Sequence, residues 1–230
     1  MIKFDAEDRS AATARYGERY REFGYSPKAL GWWGGRQDLR FAVLTSQYDF
    51  AGKHVLDVGC GFGDLNLTLR DRTDNYRYTG IDLSAEFIAE AHKRYGSPDV
   101  QFAVAEFLEA VFVEPFDYIV ESGIFNHRYV RNDNYEVIDA CIGKALANCR
   151  DGLAFDFNSH TRPNQQPNIF FADPARILAM AQRHSSNVLL RHDYMPYEFT
   201  LFVWKDDSFL DEEKVYSRYK MVHGYVPQKT

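Results

Sequence analysis

Three glycines alternate along one short stretch of the chain, HVLDVGCGFGDLNLTLR, at residues 54–70. Gly59, Gly61 and Gly63 follow an apolar run typical of a buried strand and directly precede a helical pattern. Glycine carries no side chain, so the backbone can turn tightly there and approach another group closely. A strand, a glycine-rich turn and a helix in this order indicate a loop that binds a nucleotide-like ligand.

Acidic residues around this loop indicate the kind of ligand. A dinucleotide loop has the spacing G-x-G-x-x-G and aims bare amide groups at a pyrophosphate. Here Asp57 closes the strand, and the third glycine, Gly63, comes one residue early. A carboxylate beside the loop suits a ligand that lacks phosphate and has a positive end. S-adenosylmethionine, which carries an ammonium and a sulfonium group, has that character.

A second acid supports a nucleoside ligand. Asp82 ends the next predicted strand, 19 residues past Gly63. A carboxylate at this place can accept hydrogen bonds from both hydroxyls of a ribose. Alone, Asp82 would be equally well explained as a turn or helix-capping acid, but its spacing from the glycine loop favours the ribose role.

Several segments then resemble the class I S-adenosylmethionine-dependent methyltransferases. VLDVGCGFGDL matches the first motif of that family and YTGIDLS matches the second. VQFAVAEFLE stands where the family has acidic residues beside adenine, and FDYIVESGIFNHR where its fourth strand opens on the active site. The resemblance covers about residues 52–205. RYGERYREFGYSPKALGWWGG and RHDYMPYEFTLFVWK are in addition similar to a bacterial subgroup that methylates small molecules.

The resemblance implies S-adenosylmethionine as the methyl donor, with S-adenosylhomocysteine as its product. The residues implied to bind the cofactor in the core are Asp57, Gly59, Gly61, Gly63, Asp82, Leu83, Glu106, Phe107, Glu121 and Ser122. Asp57 would anchor the loop near the ammonium group, Asp82 would hold the ribose, and Glu106 replaces the usual Asp near the adenine. N-terminal segments of the family often fold over the cofactor, which adds Tyr16, Tyr20 and Trp32 as candidates; core packing is the alternative for these three.

Methyl transfer is an in-line displacement, which needs a base only when the acceptor must lose a proton. His127 follows the fourth strand and is the candidate base, since imidazole titrates near neutral pH; a solvent-facing loop histidine is the alternative. Asn126 is a candidate for orienting cofactor or substrate, and His160 follows the fifth strand at the same edge. No metal is expected, because Asp156 and Asn158 alone are too few oxygen ligands.

Alternating strands and helices must position these residues. They predict an α/β fold with a Rossmann-like, doubly wound, mostly parallel seven-stranded sheet. The last two strands are too close in sequence for a crossover helix, so we expect an antiparallel hairpin at one edge. We expect a helical segment over residues 1–50 covering the cofactor, a core over 51–205 and a tail over 206–230. The polar insertion at 159–171 is a candidate acceptor lid.

Composition narrows the class of partner. The net charge is −6 and no long basic run occurs, which argues against a nucleic-acid surface. The three cysteines form neither a disulfide framework nor a zinc motif. No signal peptide is recognisable, and no stretch approaches the ~18 apolar residues of a membrane span. We therefore expect a cytoplasmic protein, either monomer or homodimer.

The combined expectation is a methyltransferase that acts on a small polar metabolite, such as a sugar, a glycan precursor or a secondary metabolite. Oxygen stands slightly ahead of nitrogen as the acceptor. The loop after the fourth strand lacks the Asn/Asp-Pro-Pro-aromatic pattern of enzymes that methylate nucleobase or amide nitrogens. The alternatives are a non-catalytic cofactor-binding subunit of a partner enzyme and, less favoured, an NAD-dependent dehydrogenase.

Overall fold

The computed structural model describes residues 2–32, 34, 36–205, 208, 215–224 and 226. Its strands are β1 (Lys53–Val58), β2 (Tyr76–Asp82), β3 (Val100–Val104), β4 (Phe116–Glu121), β5 (Cys149–Asn158), β6 (Val188–Met195) and β7 (Glu198–Trp204). Its α-helices are α1 (Ala6–Phe23), α2 (Gln37–Leu44), α3 (Leu65–Arg70), α4 (Ala85–Tyr95), α5 (Asn134–Asn148), α6 (Pro174–Ala181) and α7 (Ser217–His223). Most of the predicted tail over 206–230 lies outside the described residues. None of the described helices is long and apolar enough to cross a bilayer.

The strands form one seven-stranded sheet in the order β3-β2-β1-β4-β5-β7-β6. Strands β1 to β5 pair in parallel, whereas β7 pairs antiparallel with both β5 and β6. This confirms the predicted Rossmann-like sheet with an antiparallel edge hairpin. The strand order reverses between β1 and β4, and ligands of open α/β sheets bind beyond the carboxyl ends of the strands at such a point.

Helices cover both faces of the sheet. Neighbouring residues of β1, Val55 and Leu56, belong to different hydrophobic clusters, because successive side chains of a strand point to opposite faces. The cluster around Leu56 includes Ile138 of α5 and Ile177 of α6, both fully buried. The cluster around Val55 includes Leu69 of α3. The sheet is therefore a rigid platform for the loops at its edge.

Side chains cap the starts of two helices. The Ser84 hydroxyl accepts a hydrogen bond from the Phe87 N–H (3.2 Å) at the start of α4. Asp173 caps α6 in the same way, with Pro174 at the first helical position. Helix α1 begins at Ala6, where Asp5 caps it by accepting a hydrogen bond from the Glu7 N–H.

Helix α1 packs over the carboxyl edge of the sheet. Tyr20 contacts Phe62 of the glycine loop and Phe87 of α4, with ring centroids 5.7 and 5.8 Å apart. Asp8, which is only 2% exposed, accepts hydrogen bonds from three successive N–H groups at residues 130–132, after β4. These contacts join α1 to segments that follow three different strands.

Candidate active site

A cavity of about 640 Å³ lies at the carboxyl edge of the sheet, between the strand ends and α1. Small-molecule sites in proteins have volumes of about 300–1,000 Å³. The predicted site residues that line this cavity are Tyr16, Trp32, Asp57, Gly59, Gly61, Asp82, Leu83, Glu106, Phe107, Ser122, Asn126 and His127. The fold thus brings most of the predicted cofactor residues and two of the three predicted catalytic residues to one cavity.

Four predicted residues are absent from the lining: Tyr20, Gly63, Glu121 and His160. Tyr20 packs in an aromatic cluster, which agrees with core packing, the alternative given for it above. Gly63 makes room for the Phe102 ring, which would lie 2.6 Å from an added Cβ. The His160 side chain is half exposed, and its Nδ1 lies 3.3 Å from the Ala172 carbonyl oxygen. The roles predicted for these residues stay predictions.

Hydrogen bonds fold the glycine loop back onto the end of β2. The N–H groups of Gly59 and Cys60 both donate to the Ile81 carbonyl, at 2.8 and 3.0 Å. The Gly61 N–H donates to one Asp82 carboxylate oxygen (2.9 Å), while the Ser84 N–H donates to the other (2.8 Å). A carboxylate has about four acceptor positions, so Asp82 retains acceptor capacity for a ligand hydroxyl. The same side chain therefore shapes the loop and lines the cavity.

Asp57, Glu121 and Asp156 form a buried acidic cluster on the adjacent strands β1, β4 and β5. Burial raises the pKa of Asp57 to about 7 and that of Asp156 also to about 7. Each carboxylate has a hydroxyl donor: Tyr78 donates to Asp57 (2.6 Å), and Ser122 donates to Asp156 (2.5 Å). Although three acids lie close together, no group of His, Cys, Asp or Glu in the described ranges is placed to hold a metal ion.

Glu121 lies beneath the loop that follows β4. One of its carboxylate oxygens accepts the Ile124 N–H, and the other has no hydrogen-bond partner among the described residues. Burial raises the pKa of Glu121 well above its ordinary value, and the charge of Asp156 adds to this effect. Glu121 thus supports the loop after β4 from below.

We predict that Asp156→Asn raises thermal stability at pH 8 and that the gain shrinks at pH 5. The folded-state pKa of Asp156 is about 7, against 3.8 for an unperturbed Asp. The wild type therefore loses stability as the pH rises from about 4 to about 7, since the unfolded chain releases this proton first. Asparagine cannot ionise but still offers an oxygen to Ser122. Each kcal/mol recovered corresponds to about 2–4 °C.

Thermal unfolding of both proteins between pH 5 and pH 8 measures this effect, with Asp74→Asn, at an exposed position, as the control. Equal gains for Asp156→Asn at both ends of the range would contradict the ionisation argument.

Basic residues also contribute to the lining of the cavity. Five arginines contribute to it: Arg15, Arg19, Arg36, Arg40 and Arg162. Arg40 forms a bidentate salt bridge with Glu198 and stacks on Trp32, 4.0 Å from the ring centroid. Within the part of the chain that the structure describes, the other four have no carboxylate within 4 Å.

Two of these arginines have a signal in the sequence. The repeated dipeptide in RYGERY places Arg15 and Arg19 four residues apart, each before a tyrosine. Residues at this spacing share one face of a helix. That spacing would have indicated a basic face of α1 beside the face that carries Tyr16 and Tyr20.

Arg15 contacts the predicted catalytic histidine. Its Nη1 lies 2.9 Å from Nδ1 of His127. Burial lowers the pKa of His127, and the Arg15 charge lowers it further. The imidazole is thus neutral near pH 7 and is held by a cation from α1.

The insertion at 159–171 closes the same side of the cavity. His127 forms a backbone bridge with Ile169, and the Asn126 carbonyl accepts the Phe170 N–H (3.1 Å). From this insertion Arg162 and Gln166 reach the cavity lining. The predicted acceptor lid therefore lies beside the loop after β4; its role as a lid stays a prediction.

Known proteins share both sequence and fold with this chain. A family model described as a methyltransferase domain matches residues 55–146. A putative methyltransferase of Mycobacterium tuberculosis is 35% identical over 157 residues, which cover 66% of this chain and 92% of that protein. A malonyl-acyl-carrier-protein O-methyltransferase of Acetivibrio thermocellus is 35% identical over 71 residues, 31% of this chain and 25% of that protein.

A solved structure extends the likeness in fold. The magnesium protoporphyrin IX methyltransferase of Synechocystis, crystallised with bound S-adenosylhomocysteine, superposes with a TM-score of 0.62. It is 17% identical, and the match covers 86% of this chain and 99% of that one.

Proposed function

The chain belongs to the class I S-adenosylmethionine-dependent methyltransferases, and we propose that it methylates a small polar metabolite, with oxygen ahead of nitrogen as the acceptor atom. The cavity is the observation that carries this proposal. It joins the glycine loop to the segments after β4 and β5, and α1 covers it. A volume of about 640 Å³ suits a nucleoside donor with a small acceptor. A macromolecular substrate would need an open surface instead.

The donor's nucleoside would occupy the side of the cavity over β2 and β3. Asp82 would accept hydrogen bonds from the ribose hydroxyls, and Leu83 and Phe107 would pack against the adenine. Glu106 lies two residues past β3 and would accept from the adenine amino group. Its two oxygens already accept the N–H groups at residues 108 and 109, both at 2.8 Å, which orients the carboxylate.

The donor's methionine end would lie toward the glycine loop and Asp57. The pKa of Asp57 is about 7, so its proton is released readily when a cationic ligand arrives. Tyr16 and Trp32 line the same cavity and would cover the donor from above. We infer that residues 1–50 act as a cover of the cofactor and that 51–205 hold the catalytic core.

Methyl transfer requires that the acceptor atom, the methyl carbon and the sulfur be collinear. The sulfonium is already a reactive donor, so the protein mainly aligns the reactants and excludes water. Alignment of this kind lowers a barrier by about 7–11 kcal/mol at best. Here α1, the loop after β4 and the insertion at 159–171 would supply that alignment.

A turnover assay on the isolated chain tests the proposal. We expect S-adenosylhomocysteine to form when S-adenosylmethionine is combined with fractions of small polar metabolites. Transfer RNA and unfolded protein should give no product, because α1 covers the cavity. If S-adenosylhomocysteine binds but no small acceptor is ever methylated, the non-catalytic partner subunit becomes the better interpretation.

A further inference from the structure

We propose that the methyl acceptor is a carboxylate, bound by a basic cluster on one side of the cavity; this inference rests on the proposed function. The acceptor-side cluster consists of Arg15, His127, Arg162 and Gln166, all in the cavity lining. The acceptor class thus follows from the charge and hydrogen-bond character of these four side chains.

Position separates this cluster from the proposed nucleoside site. His127 follows β4, and Arg162 and Gln166 follow β5, whereas Asp82 and Glu106 follow β2 and β3. These two pairs of strands lie on opposite sides of β1. The acids proposed to bind the nucleoside therefore lie in one half of the cavity, and the cluster lies in the other, called here the basic half. The acids Glu121 and Asp156 are buried in the strands of that half, and Glu198 in its lining pairs with Arg40.

Two arginines of the basic half have no carboxylate partner. Although the chain has a net charge of −6, neither Arg15 nor Arg162 has a carboxylate within 4 Å among the residues described. Arg19 lies one turn from Arg15, and burial together with the Arg15 charge lowers its pKa. Like charges at this spacing destabilise a helix. A bound anion would supply the missing counter-charge, and arginine binds carboxylates in a bidentate manner.

The hydrogen bond from Arg15 decides the proton position on His127. A guanidinium only donates, so Nδ1 of His127 must accept. A neutral imidazole has one N–H, which is then on Nε2. The charges of Arg15 and Arg19 favour this neutral form. The charge of Asp8 favours the protonated form, but its effect is smaller than that of Arg15. His127 thus offers an N–H donor, which suits an oxygen that is already anionic.

Methylation of a carboxylate requires no base. A carboxylate oxygen attacks the methyl carbon, the C–O bond forms, and the C–S bond breaks with its electron pair passing to sulfur. The products are a methyl ester and neutral S-adenosylhomocysteine, and no proton moves. An alcohol or ammonium acceptor would instead have to lose a proton to a group in the cavity, and Nε2–H of His127 cannot accept one.

The test compares carboxylic acids with primary alcohols and amines of equal chain length. We expect S-adenosylhomocysteine to form only with the acids, and mild alkali to release the transferred methyl group as methanol. With S-adenosylmethionine saturating, the kcat/KM for the acid should show no ascending limb near neutral pH. Arg15→Gln should lower kcat/KM at least tenfold through KM and leave S-adenosylhomocysteine binding unchanged. Arg21→Gln, at an exposed position of α1, is the matched control.

Two variants of His127 distinguish a hydrogen-bond donor from a general base. Glutamine keeps an N–H donor, so His127→Gln should retain most turnover, whereas His127→Ala should lose it. Loss of turnover in both variants, with a pH profile that rises near neutral pH in the wild type, would overturn the inference. So would alkali-stable methylation of alcohols or amines.

Binding measurements distinguish a failure of the carboxylate inference from a failure of the proposed function. The carboxylic acids should bind to the protein loaded with S-adenosylhomocysteine, and Arg15→Gln should weaken that binding tenfold or more. Absence of such binding overturns the carboxylate inference alone. Absence of methyl transfer with every acceptor class, while S-adenosylhomocysteine binds, overturns the proposed function.

Discussion

Asp82→Ala is expected to weaken the binding of S-adenosylhomocysteine by at least about 100-fold. The carboxylate would accept hydrogen bonds from two ribose hydroxyls, and a hydrogen bond to a charged group contributes about 1.5–3 kcal/mol. Two such bonds correspond to about 3–6 kcal/mol, and each 1.4 kcal/mol is roughly a tenfold change in affinity. Isothermal titration calorimetry on the purified variant measures this loss.

Part of the effect would come from the loop itself. Asp82 accepts the N–H groups of Gly61 and Ser84, and alanine leaves both without their acceptor. Asp82→Asn separates the two contributions, because the amide keeps one acceptor oxygen but turns a donor toward the other N–H. We expect an affinity between those of the wild type and the alanine variant.

Asp64→Ala is the matched control for Asp82→Ala. Asp64 also borders the glycine loop, but it accepts the hydroxyls of Tyr25 and Tyr95, both at 2.8 Å, and lies outside the cavity lining. We expect this variant to lose stability and to keep its affinity for S-adenosylhomocysteine. Wild-type affinity in a folded Asp82→Ala protein would show that the ribose is held elsewhere.

The sheet and the glycine loop could be predicted because local patterns determine them. Alternating strand and helix periodicities imply parallel pairing, and the short link before β7 implies a hairpin. Parallel strands place their carboxyl ends at one edge, so Asp57 and Asp82 had to meet there. Side chains such as Ser84 and Asp173, which cap helices within a few residues of themselves, are local signals of the same kind.

The basic half of the site could not be predicted in this way. Arg15 and His127 are 112 residues apart in sequence, and their contact depends on how α1 docks. That docking uses Asp8 and the N–H groups of 130–132, more than 120 residues away. No periodicity encodes such pairs. Neither the neutral state of His127 nor its proton position follows from the residue type alone.

Glu121 illustrates a smaller limit of prediction from the sequence. It and Ser122 are adjacent at the end of β4, and both were predicted to contact the cofactor. Successive side chains of a strand point to opposite faces, so only one of two neighbours can face a given space. Ser122 lines the cavity, and Glu121 supports the loop beneath it.

Gly59→Ala is expected to lower both stability and affinity. Gly59 has a φ angle of 72°, in the left-handed region, where a side chain costs about 1–2 kcal/mol. An added Cβ would also collide with the Ile124 side chain, which lines the cavity and would have to move. We expect a melting temperature lower by about 2–8 °C, since each kcal/mol corresponds to about 2–4 °C. Binding of S-adenosylhomocysteine should weaken at least tenfold.

A double variant separates the two causes. Ile124→Ala removes the collision but leaves the backbone strain, so Gly59→Ala/Ile124→Ala should regain part of the lost affinity relative to Gly59→Ala alone. Gly17→Ala is the control, because Gly17 lies within α1 and nothing lies within 4 Å of its added Cβ. That substitution should stabilise the helix by about 0.5–1 kcal/mol. If Gly59→Ala and Gly17→Ala had equal effects on melting temperature and binding, the glycine loop would not require a glycine at position 59.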